Sequence, residues 1–164
     1  MQKYRDYAII TIDDDVYYAK DTFESFFNSY LENPNIILGR RSHYMTYRRS
    51  GEFNSYRRWK FEQKFQKKPD FNNFLSGIGG ILYPPDILNI NENYLPLINE
   101  SIICDDITLK YLATTKGIPN KWVKNKHIRG IDGIIPKNQG NPLYHINCHT
   151  DLLFFYQINY ILIR

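Results

Sequence analysis

The sequence is poor in cysteine and has no long apolar run. Its two cysteines, Cys104 and Cys148, give no disulfide framework, which excludes the disulfide-rich secreted class and fits a reducing compartment. The N-terminus begins with charged residues and has no apolar signal region, so we expect a cytoplasmic protein. The most apolar stretch, residues 152–163, is broken by Gln157 and Asn159 and falls short of the ~20 residues that span a bilayer. It predicts a buried final element, with contact at a membrane surface as the alternative.

Internal repeats and low-complexity linkers are also absent, which favours a single globular unit. With 164 residues and 43% hydrophobic content, the chain is long enough for one domain with a real core and too short for two. We therefore predict a single domain over residues 1–164. The net charge of +4 is unevenly placed, because residues 40–68 hold ten Lys and Arg against two Glu. That segment carries +8, and the rest of the chain carries −4.

An acidic triplet follows the first apolar run. The sequence IITIDDD at 9–15 is typical of a short strand that ends in three carboxylates. Extended backbone would point Asp13 and Asp15 to one face and Asp14 to the other. Adjacent like charges repel each other, and a hard divalent cation with oxygen ligands would relieve that repulsion. A solvated acidic turn that closes the strand is the alternative interpretation.

The apolar pattern of the first forty residues predicts strands and a helix, and therefore an α/β fold. Residues 7–12 read as a strand covered on both faces, which implies a sheet with helices packed on it. Asp21 is placed as a helix N-cap with Glu24 as its capping-box partner, and Asn33 ends this helix. The apolar stripe of the helix would comprise Phe23, Phe26, Phe27, Tyr30 and Leu31. A second buried strand is predicted at 36–38.

A glycine-rich segment and an acidic pair dominate the second half. Gly77, Gly79 and Gly80 permit close approach of the backbone to a ligand or to another strand, and a strand follows at 81–83. Asp105 and Asp106 begin a predicted helix that ends at the Lys-Gly pair at 116–117. Its buried face would hold Leu109, Leu112 and Ala113. Helix capping alone would explain one carboxylate of the pair.

Between these parts, residues 42–74 mix cations with aromatic side chains and show little periodicity. A helix over about 56–65 fits part of the segment, and the rest reads as loop. Long loops in compact domains are usually functional or mobile. The functional interpretation is a flap that offers positive charge to a diphosphate and aromatic faces to a sugar. A solvated basic surface with a few core aromatics is the equally weighted alternative.

Taken together, three motifs resemble those of a known family. IITIDDD at 9–15, GIGGILYPP at 77–85 and CDDITLK at 104–110 follow one another as in bacterial nucleotide-sugar glycosyltransferases with the GT-A fold. The chain is similar to the C-terminal catalytic half of that fold over most of residues 7–117. The resemblance implies a partial GT-A-like mixed sheet flanked by helices. It also implies transfer of a sugar to a hydroxyl group in surface polysaccharide or lipopolysaccharide synthesis, in the cytoplasm or peripherally at the inner membrane.

The resemblance assigns the reacting groups to three carboxylates. Asp13 and Asp15, as the D-x-D pair, would hold Mn²⁺ or Mg²⁺, which neutralises the diphosphate of the leaving group. Asp106 would be the catalytic base that removes the proton from the acceptor hydroxyl, as in inverting members. A single displacement of this kind inverts the anomeric centre.

The same resemblance assigns four substrate-binding residues. Asp14 and Asp105 would contact ribose or sugar hydroxyls, and Gly79 and Gly80 would line the substrate site. The implied partners are a nucleotide-sugar donor, with a UDP-sugar preferred, and a glycan or lipid-linked acceptor, with no nucleic acid.

One departure from the family pattern concerns the nucleotide-binding half. In the family a longer segment precedes the D-x-D strand, whereas only twelve residues precede Asp13 here. We therefore expect a chain that lacks most of that half, through truncation or because a partner completes the site. Exposed strand edges would then favour oligomers, and an inactive fragment is the alternative.

Three other functions remain open from the residues. Residues 40–68 interleave cations with aromatics, as single-stranded nucleic-acid binders do. The carboxylates at 13, 15, 105 and 106 would also suit a two-metal phosphotransferase or nuclease. A zinc site would use His145, Cys148 and His149 with Cys104 or His127, although paired cysteine spacing is missing. The resemblance also implies that His149 would be a further metal ligand, and an ordinary helix-cap or surface histidine is the preferred alternative.

Overall fold

The computed structural model describes residues 4–89 and 105–124, and within these ranges the chain is mixed α/β. Two α-helices and seven strands are present there, which confirms the predicted class. In chain order they are β1 (Ile9–Thr11), α1 (Thr22–Glu32), β2 (Ile37–Gly39), β3 (Ser42–Tyr44), β4 (Lys60–Phe61), β5 (Asn73–Leu75), β6 (Ile81–Tyr83), α2 (Asp105–Thr115) and β7 (Asn120–Trp122).

Four strands form one mixed sheet in the order β1, β6, β2, β7. Strand β6 runs antiparallel to both of its neighbours, and β2 runs parallel to β7. Strand β6 has the predicted bounds, and all three of its residues are buried. Thr11 at the end of β1 stands opposite Ile81 at the start of β6. This register brings the acidic triplet and the glycine-rich segment to the same end of the sheet.

Strand β1 is shorter and more exposed than the sequence predicts. The prediction of a strand at 7–12 covered on both faces is wrong, because each residue of β1 is only half-buried. The flanking residues Tyr7 and Ile12 are 65% and 48% exposed. Among the described residues β1 pairs only with β6, so it lies at the edge of the sheet, where fewer elements can cover its side chains.

Helix α1 covers one face of this sheet. It begins after Asp21 and ends before Asn33, as predicted, but the Asp21 side chain makes no capping hydrogen bond. Phe26 is fully buried against Leu38 and Leu82, with Tyr30 packed beside it. The rest of the predicted stripe, Phe23, Phe27 and Leu31, is more than half exposed, so only part of that stripe faces the core.

Helix α2 packs against the other face of the sheet. Its buried residues include Leu112 and Ala113, and Leu109 packs against the same core cluster, which confirms the predicted inner face. The helix stops at Gly117, whose φ of +69° suits glycine.

A second, three-stranded sheet in the order β4, β3, β5 occupies the basic segment. The helix predicted over 56–65 is wrong, because β4 pairs with β3 and two short 3₁₀ turns flank it. Trp59 and Phe74 belong to a buried cluster that also contains Ile107 of α2. Cross-strand pairing therefore overrides the helical spacing of the aromatics. The two sheets are joined by Asn73 and Asn120, each of which donates a side-chain hydrogen bond to the backbone carbonyl of the other, at 2.9 and 3.0 Å.

The interpretations made for the last part of the chain concern residues beyond those described. One of these is the apolar run at 152–163, predicted to form a buried final element. Within residues 4–89 and 105–124, no helix has the length and apolar character needed to cross a membrane.

Candidate functional site

The acidic triplet does not continue as an extended strand. A turn forms at Asp14 and Asp15, so only Asp13 stays half-buried while the other two carboxylates are exposed. The backbone N–H of Asp13 donates to the Tyr18 hydroxyl at 2.9 Å, and that hydroxyl donates to the carbonyl of Ile78 at 3.2 Å. The acidic loop is therefore tied directly to the glycine-rich segment.

The glycine-rich segment forms a 3₁₀ turn, Gly77–Gly79, between β5 and β6. The backbone N–H of Gly77 donates to Oδ1 of Asp106 at 2.9 Å. A Cβ atom placed on Gly77 would lie 3.1 Å from Oδ1 of Asp106 and 3.5 Å from Oδ1 of Asp13. Carboxylates from the two ends of the described chain thus converge on one glycine, in the gap that its missing side chain leaves open.

The electrostatics of Asp13 show how closely the carboxylates are grouped. Burial is the largest cause that raises the pKa of Asp13, and the negative charges of Asp15, Asp105 and Asp14 raise it further, in that order. Each predicted acidic residue thus acts on this site, directly or through its field. A cation placed among them would reverse the effect and favour the ionised forms.

Asp106 is more strongly perturbed. Burial of its carboxyl, followed by the charge of Asp105, raises the pKa of Asp106 to about 8, and the hydrogen bond from Gly77 opposes the rise. At neutral pH this group is mostly protonated, although the residue keeps some accessible surface. A cation bound near Asp13 would favour the ionised form of Asp106, which is the form that can accept a proton.

The donor set suits an ion that arrives with a phosphate-bearing substrate. Within the two described ranges, no three His, Cys, Asp or Glu side chains are grouped closely enough to hold a metal by themselves. Mg²⁺, however, is commonly held by one or two carboxylates together with substrate phosphates and water. Asp13 supplies a half-buried carboxylate beside Gly77, and Asp15, Asp105 and Asp14 add negative charge nearby.

Gly79 and Gly80, predicted to line the substrate site, have packing constraints of their own. A Cβ atom on Gly79 would lie 2.7 Å from the backbone nitrogen and from Cβ of Arg41. Gly80 has φ of +78°, and its added Cβ would lie 3.2 Å from the Phe26 ring. Close packing thus accounts for both glycines, and Gly77 is the one that faces the carboxylates.

Lys110 is a site residue that sequence reasoning missed. It lies one helical turn after Asp106, is 5% exposed, and its Nζ donates to the carbonyls of Phe71 and Asn73 at 2.6 and 3.0 Å. Burial lowers the pKa of Lys110 to about 7. The signal in the sequence is its i+4 spacing from Asp106, which puts a lysine on the inner side of α2.

A small cavity lies between these two titratable groups. It measures about 10 Å³ and is bordered by Asp106, Lys110, Tyr83 and Asn120, among others. That volume holds about one water molecule. Burial, aided by the charges of Asp106 and Asp105, raises the pKa of Tyr83 well above its usual value, so its hydroxyl stays protonated.

Gly77→Ala is expected to weaken the proposed metal binding while leaving the fold intact. The new methyl group would occupy the gap between Asp13 and Asp106 at 3.1–3.5 Å from their oxygens, and the flexible carboxylates would have to turn away. Calorimetric titration with Mn²⁺ should show an affinity loss of at least about tenfold, comparable to losing a partner of a metal ligand. The unfolding free energy should change by less than about 1 kcal/mol. Unchanged Mn²⁺ affinity would contradict the assignment of this gap.

The zinc-site interpretation cannot be placed on this geometry. Its residues, Cys104, His127, His145, Cys148 and His149, all lie outside the described ranges.

Comparisons with protein-family models, with curated proteins and with solved structures find no match for the chain. The chemistry assigned to the site therefore rests on its own contacts.

Proposed function

We propose that this protein is a metal-dependent glycosyltransferase that moves a sugar from a nucleotide-sugar donor to a hydroxyl acceptor. The observation that carries the proposal is the convergence of Asp13 and Asp106 on Gly77. A cation and a base must stand on either side of the same sugar carbon in such a transfer, and these two carboxylates come from distant parts of the chain. A solvated acidic turn would not need this convergence.

The finer fold assignment, a partial GT-A-like sheet, belongs to this proposal. It is supported by the order of the elements: a strand that ends in D-x-D, a glycine turn that leads into the central antiparallel strand, and a helix that opens on an acidic pair. This is the order that the sequence motifs share with the family they resemble.

Each carboxylate has a distinct role in the proposed reaction. Asp13, supported by Asp15, would hold Mn²⁺ or Mg²⁺, which when bound neutralises the diphosphate leaving group. Asp106 accepts the proton of the acceptor hydroxyl as that oxygen attacks the anomeric carbon from the face opposite the departing diphosphate. One bond forms as the other breaks, so the product is inverted. Exposed Asp14 and Asp105 are available to sugar or ribose hydroxyls.

Holding Asp106 in place is the work of its neighbours. The Gly77 N–H donates to Oδ1 at 2.9 Å, and the Ser76 side chain also hydrogen-bonds the carboxyl. Lys110 fixes the backbone at the start of β5 through hydrogen bonds to the carbonyls of Phe71 and Asn73, and β5 leads into the glycine turn. The base is thus anchored to both the sheet and the helix, which limits its movement during the proton transfer.

The test is calorimetric titration of UDP in the presence and absence of Mn²⁺. UDP should bind in a metal-dependent way, and Asp13→Asn should weaken that binding at least about tenfold, since one of two protein ligands is lost. Asp86→Asn is the matched control: Asp86 is exposed and has φ of +63°, which asparagine tolerates. The control should bind UDP like the unsubstituted chain.

Two results would count against the transferase. UDP affinity that does not depend on Mn²⁺ would remove the role given to Asp13. Binding of single-stranded RNA that persists in EDTA and weakens steeply with salt would favour the nucleic-acid alternative, in which the basic segment makes the contacts.

A further inference from the structure

Arg41 is locked to the glycine turn that carries the two carboxylates. Its carbonyl accepts a hydrogen bond from the Ser76 N–H at 3.1 Å. On the other side of the turn, the space for a Cβ on Gly79 is already filled by the backbone nitrogen and Cβ of Arg41. Two residues of a 3₁₀ turn advance about 4 Å along its axis, so Gly77 and Gly79 are close together. The Arg41 backbone, which packs on Gly79, therefore lies near the acidic site.

The side chain of Arg41 lies on a wall of aromatic rings. Its guanidinium carbon is 5.1 Å from the centre of the Phe61 ring. The His43 ring lies 5.0 Å from Phe61 and 4.6 Å from Tyr56, centre to centre. Burial, followed by the positive charge of Arg41, lowers the pKa of His43 to about 4, so this histidine is neutral and Arg41 is the cation of the wall.

This wall and the acidic site meet at the start of α2. Tyr56 packs against the cluster that contains Trp59, Phe74 and Ile107. Ile107 directly follows Asp106, so the cluster joins the aromatic wall to the residue that bears the base. The aromatic wall and the residue that bears the base are therefore connected through one packed cluster.

The charge of Arg41 is not neutralised by a described carboxylate. Ion pairs found within residues 4–89 and 105–124 include Arg5 with Asp6 and Arg48 with Glu52, and neither of these involves Arg41. Arg41 is half-buried, and a cation withdrawn from water gains most from an anion with matching geometry. A planar guanidinium held over a ring keeps its N–H edges available, and phosphate oxygens fit that edge in pairs.

We propose that Arg41, held on the Phe61 ring, is the phosphoryl-binding residue of the substrate site. This inference rests on the proposed function, because it takes the substrate to carry phosphate. Two sources share that chemistry: the diphosphate of the donor and a phosphate group on the acceptor. Asp13 and Asp106 would handle the metal and the proton, and Arg41 would fix the position of the phosphate beside them.

The experiment compares Arg41→Gln with the unsubstituted chain in two titrations. The first uses UDP with Mn²⁺, and the second uses glycerol 3-phosphate in EDTA. If Arg41 binds the donor diphosphate, Arg41→Gln should lower the affinity for UDP; if it binds an acceptor phosphate, the affinity for glycerol 3-phosphate should fall. The expected loss is about tenfold or more, the usual value of a charged hydrogen bond. Arg49→Gln removes the same charge from an exposed turn and should change neither affinity by more than about twofold.

The outcomes separate the two sources and both proposals. A loss confined to UDP with Mn²⁺ assigns Arg41 to the donor diphosphate, and a loss confined to glycerol 3-phosphate assigns it to the acceptor. If the transferase proposal fails but this inference holds, Asp13→Asn leaves the affinity for UDP unchanged. Arg41→Gln then still lowers the affinity for glycerol 3-phosphate in EDTA. Equal affinities for Arg41→Gln and the unsubstituted chain, or no binding of either ligand, would overturn the inference. Arg41→Lys keeps the charge without the planar edge, so it should also weaken binding if Arg41→Gln does not fold.

Discussion

Asp106→Asn is expected to make the folded chain more stable at alkaline pH by about 2–4 kcal/mol. Burial and the charge of Asp105 raise the pKa of Asp106 from 3.8 to about 8 in the folded state. Between these two values the folded chain binds a proton that the unfolded chain releases, so stability falls as pH rises through that window. Asparagine keeps the shape and can accept the Gly77 hydrogen bond, but it has no charge to bury.

Urea unfolding at pH 4, 7 and 9 would measure this difference. The gain for Asp106→Asn should be smallest at pH 4 and largest at pH 9, whereas Asp86→Asn should show no such trend. A gain that does not grow with pH would contradict the perturbed titration of Asp106. The same substitution removes the proposed base, so sugar transfer should fall by about a hundredfold or more. Greater stability with lost activity is the pattern expected of a strained catalytic group.

Among the substitutions considered in the glycine turn, Gly79→Ala is expected to lower the free energy of unfolding the most. Its methyl group would lie 2.7 Å from the backbone nitrogen and Cβ of Arg41 and 3.2 Å from the carbonyl carbon of Arg40. These are backbone or backbone-attached atoms, and Gly79 is buried, so the turn and the strand connection would have to separate. Overpacking of this kind costs about 1–3 kcal/mol, and rigid surroundings favour the upper end.

The matched control for this substitution is Gly77→Ala, two residues earlier in the same turn. Its methyl group meets only the flexible ends of two carboxylates. Denaturant unfolding should therefore show a large shift of the midpoint for Gly79→Ala and little shift for Gly77→Ala. If the two variants unfold at the same denaturant concentration, the close packing between the turn and Arg41 does not carry the stability assigned to it.

The sequence predicts the central elements well because their local signals agree with their burial. Strand β6 combines apolar residues with a following Pro-Pro stop, and it is observed with the predicted bounds. Helix α2 combines an acidic start, a periodic inner face and a glycine stop, and each is observed. In these elements propensity, pattern and tertiary packing all favour the same structure.

The misplaced features depend on contacts that no local pattern records. The aromatics between Tyr56 and Phe65 have helical spacing, yet pairing of Phe61 with His43 makes a strand. A turn forms at Asp14 and Asp15, where the sequence predicts extended backbone with Asp13 and Asp15 on one face. Asp13 and Asp106, which converge on Gly77, are more than ninety residues apart in the chain. The sequence pattern does not distinguish Gly77, Gly79 and Gly80. Only the geometry of the turn shows that Gly77 is the glycine that faces the carboxylates.

Strand β6 is hydrogen-bonded on both sides and has no exposed residue, and the glycine turn leads directly into it. Backbone amides in such a position open only when the whole domain opens. The proposed substrate site therefore adjoins a segment that we expect to exchange its amide protons slowly. On heating or adding denaturant, we expect the affinity for substrate to stay nearly constant up to the unfolding transition. Binding and folded structure should then be lost together in one cooperative step.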